Sequence, residues 1–81
     1  SMRYFPNPNS GQFNLEIRNV NLDRLRIEII SMTGTKIYEN DLEIENGTYL
    51  GDIKLEGLPS GIYTINLKSE KGIVSGRINI R

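Results

Sequence analysis

Three carboxylates stand at alternate positions in Asp41-x-Glu43-x-Glu45, which puts them on one face of a strand. Oxygen donors so arrayed are calcium-type ligands, and a pair of carboxylates is also the equipment of glycoside hydrolysis. The plain reading is stronger. The spacing is periodic because a strand is periodic, so this is read as a solvated face, and 81 residues leave little room for a substrate cleft. Asn46-Gly47-Thr48 fits the N-glycosylation sequon, yet Asn-Gly is the pair that a tight two-residue hairpin demands, and a turn is expected there. The chain has no His and no Cys, so its hydroxyls lack the commonest general base and no thiolate is available. Its glycines are dispersed among turns and form no phosphate loop. What is left is Arg77 and Arg81, four apart on the outward face of the last apolar alternation. They are either charges that protect an edge strand or the side chains of a recognition strand whose face and free edge a partner reads. No catalytic residue, cofactor or metal is expected.

These residues need strands to position them, and the pattern supplies strands throughout. Leu58-Pro59-Ser60-Gly61-Ile62-Tyr63 reads as a corner: Pro59 presets one turn position and Gly61 gives backbone freedom. Tyr63, Ile65 and Leu67 then alternate with Thr64 and Asn66, and Tyr63 is placed to return its hydroxyl to the corner backbone, as in a tyrosine corner. Phe13, Leu15 and Ile17 form an earlier buried face, and Leu25, Ile27 and Ile29 another. Short strands are expected at Lys36–Asn40 and Asp41–Glu45. A fifth carries Tyr49, Ile53 and Leu55 inward, with Gly51 as a bulge. The last turns Val74, Ile78 and Ile80 inward, with Gly76 on the same face. Of the aromatics, Tyr38 is expected to be exposed.

Residues 3–11 (Arg3 to Gly11) are rich in Pro, Asn, Ser and Gly and read as an extended lead-in or turn, since proline cannot donate to a central ladder. Residues 1–2 read as a cloning remnant and residues 12–81 as the domain. About seven short strands with turn signals between them predict an all-β, immunoglobulin-like antiparallel sandwich. Ten basic and ten acidic residues cancel, so nothing electrostatic points to nucleic acid or to an anionic membrane. No apolar run approaches the roughly 20 residues of a membrane helix. No signal-peptide pattern opens the chain, which is read as a piece cut from a longer protein, so this says little about export of the parent.

Four segments, in order, resemble the type A C-terminal sorting domain of the type IX (Por) secretion system of Bacteroidetes. They are Tyr4-Phe5-Pro6-Asn7-Pro8-Asn9-Ser10-Gly11, Ser31-Met32-Thr33-Gly34-Thr35-Lys36, Leu58-Pro59-Ser60-Gly61-Ile62-Tyr63, and Lys71-Gly72 followed by Arg77-Ile78-Asn79-Ile80-Arg81. The family often has Lys where Arg77 stands, which keeps the charge and changes the donor geometry. The motif positions are Pro6, Asn7, Pro8, Gly11, Gly34, Lys36, Leu58, Gly61, Tyr63 and Gly72. The resemblance implies an address without catalysis, at the extreme C-terminus of a cargo protein. The cargo crosses the periplasm and is recognised by the type IX machinery at the outer membrane. A sortase-like peptidase cuts upstream of Arg3, and the cargo is released or anchored at the cell surface. Arg77, Asn79, Ile80 and Arg81 are the expected recognition residues. The expected partners are that machinery, the peptidase and the preceding cargo domain, with an edge-strand dimer also open. The other reading is a fibronectin-like or carbohydrate-binding accessory module, which would use Tyr38 as a platform and the acidic strand as a calcium site.

Overall fold

The computed structural model describes residues 1–81. It contains seven strands and no helix: β1 (Met2–Phe5), β2 (Gln12–Ile17), β3 (Arg24–Ile30), β4 (Lys36–Glu43), β5 (Tyr49–Lys54), β6 (Gly61–Ser69) and β7 (Gly72–Ile80). Sheet order is β1-β2-β5 on one side and β4-β3-β6-β7 on the other, with every pairing antiparallel. The two sheets bury one continuous core. Phe13, Leu15, Ile17 and Ile53 come from the smaller sheet; Leu25, Ile27, Ile29, Leu42, Tyr63, Ile65, Leu67, Ile78 and Ile80 come from the larger. Period-two alternation produces this directly, because successive side chains leave a strand on opposite faces.

The lead-in is not all turn. Met2–Phe5 pairs with β2 in continuous register from Met2↔Ile17 to Phe5↔Asn14. The prolines that argue against a strand begin only at Pro6, one residue past its end. The two short strands expected at Lys36–Asn40 and Asp41–Glu45 are one, because β3 offers an unbroken ladder to both Asn40 and Asp41. The bulge lies in that ladder, between Ile29 and Ile30, and not at Gly51. Gly51 instead lies under the Tyr49 ring, which a Cβ at that position would strike.

Asn46 and Gly47 take φ 53 and 75, the left-handed pair that a type I′ turn requires, and Glu45 bridges Thr48 across them. Yet β4 and β5 belong to different sheets. The tight turn is therefore a corner through which the chain changes sheets, not the tip of a two-stranded hairpin.

Two residues depart in burial from the parity of their strands, for physical reasons. Val74 has the parity of a core residue but is 58% exposed. Near its Gly72 end β7 overhangs an open apolar groove of about 230 Å³, lined by Met2, Val20, Leu22, Ile73 and Val74. Glu28 lies on the outer face of β3 yet is only 3% exposed. Lys36 on β4 and Lys68 on β6 close over it at 3.1 and 3.0 Å. Their aliphatic stems cover the carboxylate while their charges neutralise it.

Candidate functional site

The candidate site is built on β7, which forms an edge of the larger sheet. Antiparallel pairing with β6 sets Arg77 beside Thr64 and Asn79 beside Ile62. Since Ile78 and Ile80 point into the core, at 0 and 1% exposure, Arg77, Asn79 and Arg81 point outward. Of the four expected recognition residues, Ile80 is therefore presented to the core and not to solvent. It acts on the site by anchoring the strand.

Alternate residues of an antiparallel strand turn their backbone N–H and C=O to opposite sides. Those of Arg77, Asn79 and Arg81 turn away from β6, toward what would be the open edge. The lead-in occupies it. The Tyr4 hydroxyl donates to the Arg77 carbonyl at 2.7 Å, and Asn7 Nδ2 donates to the same oxygen at 3.4 Å. The Asn79 N–H donates to Asn7 Oδ1 at 2.8 Å. The Asn9 N–H donates to the Asn79 carbonyl at 3.0 Å, and the Arg81 N–H donates to the Asn9 carbonyl at 2.7 Å. Asn9 and Ile80 thus form a parallel bridge. The edge expected to be free is filled over its second half. Ile73 and Ser75, nearer Gly72, keep their outward backbone groups without a bond beyond the β6 ladder, and so does the Arg77 N–H.

The lead-in is shaped for this task. Asn9 is 2% exposed, and its side chain donates to the Pro6 carbonyl at 2.9 Å and accepts from the Gly11 N–H at 2.8 Å. The Gly11 carbonyl in turn accepts from Leu55 at 2.7 Å. Pro6 and Pro8 bring no N–H to the edge, so the cap does not offer a new ladder in place of the one it covers. Gly76 completes the fit: a Cβ there would collide with the Tyr4 hydroxyl.

The other motif residues gather at the same end of the sandwich. Gly61 opens β6 opposite Ile80. Tyr63, 5% exposed, donates its hydroxyl to the Pro59 carbonyl at 2.6 Å, and Leu58 packs against the core. Gly34, with φ 88, closes the turn between β3 and β4 through its N–H to the Ser31 carbonyl at 2.9 Å. Lys36 begins a row that crosses the outer face of the sheet through Ile30 and Thr64 to Arg77. Gly72 alone lies at the far end, in the turn between β6 and β7.

Charge divides this face in two. On the β3–β4 half, Lys36 binds Glu39 at 2.7 Å as well as Glu28, and Arg26 binds Asp41 at 3.0 Å and Glu39 at 3.2 Å. The Lys68 and Lys36 hydrogen bonds hold the Glu28 carboxyl below the usual glutamate range, and Glu39 with Glu28 holds Lys36 above the usual lysine value. On the β7 half no carboxylate comes within 4.0 Å of Arg77 or Arg81.

The features that would favour a glycan module are weaker than the sequence suggests. Tyr38 is half-buried and packs against the core. The exposed aromatic is Phe5, 39% exposed, and the Arg3 guanidinium sits over its ring at 5.3 Å. Asp41, Glu43 and Glu45 are exposed, as a solvated face requires, and no cluster of three or more acidic side chains is disposed to hold a metal ion.

Asn7, Arg77 and Asn79 stand out in the sequence but their contact does not, and nothing local marks Asn9 or joins Tyr4 to Gly76. The one local signal was the dense run of turn formers from Pro6 to Gly11 beside an aromatic pair.

A family model described as a secretion system C-terminal sorting domain matches residues 3–81. No curated protein matches the chain at a significant level.

Proposed function

Because the chain belongs to the family of type IX secretion system C-terminal sorting domains, a sorting-signal family and not a catalytic one, we propose that its signal is the outward strip of β7, read on the folded domain. The family assigns the chain to export, toward secretion or the cell surface, and to interaction with the type IX machinery while attached to a cargo protein. The finer reading is that Arg77, Asn79 and Arg81 are what that machinery touches. A sortase-like peptidase then cuts upstream of Arg3, and the cargo is released or anchored at the surface.

The observation that supports this reading is the docking of Asn7 on Arg77 and Asn79. It joins the two motifs furthest apart in sequence and fixes the backbone under the three polar side chains. A strip held in one geometry can be recognised with little ordering cost. Gly34, Gly61 and Tyr63 serve the signal through the fold, since each has a structural task already.

The test is to fuse residues 3–81 to an exported reporter in a bacterium with a working type IX system. The expected result is reporter at the surface or in the medium, and its loss when Asn79, Ile80 and Arg81 are removed. Retention of the intact fusion in the periplasm, while a control cargo reaches the surface, would overturn the reading.

A further inference from the structure

We infer that β7 is recognised through its outer face and not by addition of a strand to its edge, and that the partner surface presents carboxylates. This rests on the reading of β7 as the signal, and it adds the mode of contact and the chemistry of the partner.

The mode follows from the occupied edge. A strand added beside residues 77–81 needs the outward N–H and carbonyl of Arg77 and Asn79 and the Arg81 N–H. All of these except the Arg77 N–H are already bonded to Tyr4, Asn7 or Asn9. Displacing the cap would break these bonds and unseat Asn9, which is buried and bonded to Pro6 and Gly11. The side-chain face has no such occupant. Thr64 and Ile62 flank Arg77 and Asn79 there, and Ile62 is 45% exposed.

The chemistry follows from charge. Of the carboxylates on this face of the larger sheet, Glu28, Glu39 and Asp41 are held by Lys36, Lys68 and Arg26 on the β3–β4 side, and Glu43 stands beside Arg24 on that same side. None reaches Arg77 or Arg81. Two guanidiniums therefore stand without counter-ions on a strip otherwise made of Asn79, Thr64 and Ile62. Four strand residues set them about 13 Å apart at roughly 3.3 Å per residue. A guanidinium presents a rigid fork of donors that fits a carboxylate bidentately. The matching partner is an extended or flat surface with two carboxylates at that spacing and an apolar group between them for Ile62.

The experiment uses the whole 81-residue chain, isotopically labelled, and a synthetic peptide of alternating Thr and Val with Glu at two positions four apart. The expected result is saturable NMR shifts at Arg77, Asn79, Arg81, Thr64 and Ile62 that weaken with added salt. They should vanish with the Gln version of the peptide and in the R77E/R81E chain, and persist in R24E/K54E, which alters cations elsewhere. The absence of saturable shifts at Arg77 and Arg81 would overturn the inference. So would shifts centred on the Ile73 and Ser75 amides, or shifts lost equally in R24E/K54E. The peptide experiment involves no secretion, so its outcome is separate from that of the reporter fusion. Peptide binding without export would remove the sorting role and leave the face-on contact standing.

Discussion

Asn7 Oδ1 accepts a hydrogen bond from the Asn79 backbone N–H at 2.8 Å, so a side chain 72 residues upstream completes the pairing of the last strand. With Tyr4 and Asn9 it converts half of an edge strand into an interior one. The Asn7→Ala variant should therefore loosen β7 on its outer side only. Native-state hydrogen exchange is expected to speed up at the Asn79 amide by roughly fivefold, the equivalent of about 1 kcal/mol for a lost hydrogen bond. The Ile78 amide, which faces β6, should not change. Equal acceleration at both would mean that Asn7 supports the fold as a whole and not the edge.

Tyr63→Phe removes the hydroxyl bonded to the Pro59 carbonyl and little else. The loss should be about 1 kcal/mol in a denaturant titration, with unchanged slope. Ile65→Ala, at a position with 0% exposure, should cost about 2–5 kcal/mol by comparison. An Ile65→Ala loss no larger than that of Tyr63→Phe would contradict the packing described for β6.

Gly76→Ala sets a methyl group against the Tyr4 hydroxyl. The expected cost is about 1–3 kcal/mol, the range for overpacking. In a Tyr4→Ala background the same substitution should cost far less, because its obstacle is gone. A double-mutant cycle reads this coupling, and simple additivity would deny the contact.

Acid should weaken the domain through Glu28. The Lys68 and Lys36 hydrogen bonds lower its pKa in the folded state relative to the unfolded value near 4.5. The folded chain therefore binds fewer protons than the unfolded one between those values. The stabilising contribution is complete above about pH 4.5 and fades as pH falls through the folded value. Glu28→Gln should be less stable than the parent at neutral pH and converge with it in acid. Denaturation midpoints followed from pH 7 to pH 3 test this, and parallel curves would exclude Glu28 as a source of the acid response.

Local regularity made much of the fold legible. Phe13-x-Leu15-x-Ile17, Leu25-x-Ile27-x-Ile29 and Tyr63-x-Ile65-x-Leu67 declare their buried faces in sequence, and all nine residues are core. The Tyr63 corner was legible too, because its donor and acceptor lie only four residues apart. What escaped depends on partners distant in the chain. Val74 has the right parity but no opposing layer. Glu28 looks like any outward charge until β4 and β6 bring lysines over it. The prolines of the lead-in correctly exclude a central strand yet say nothing of the edge they sit beside. The candidate site was legible as two separate ends, and their contact was not.

That contact sets an order of events. Tyr4 and Asn7 meet their partners across separations of 70 to 73 residues in a chain of 81. Closing so large a loop carries nearly the greatest chain-entropy cost this sequence can incur. A chain cut short before Asn79 has neither the amide that Asn7 receives nor the carbonyl that Asn9 uses, whatever the state of its core. The latch between lead-in and last strand therefore distinguishes a domain whose two ends have met from one in which only the core has formed, and it does so at the strip we assign to recognition.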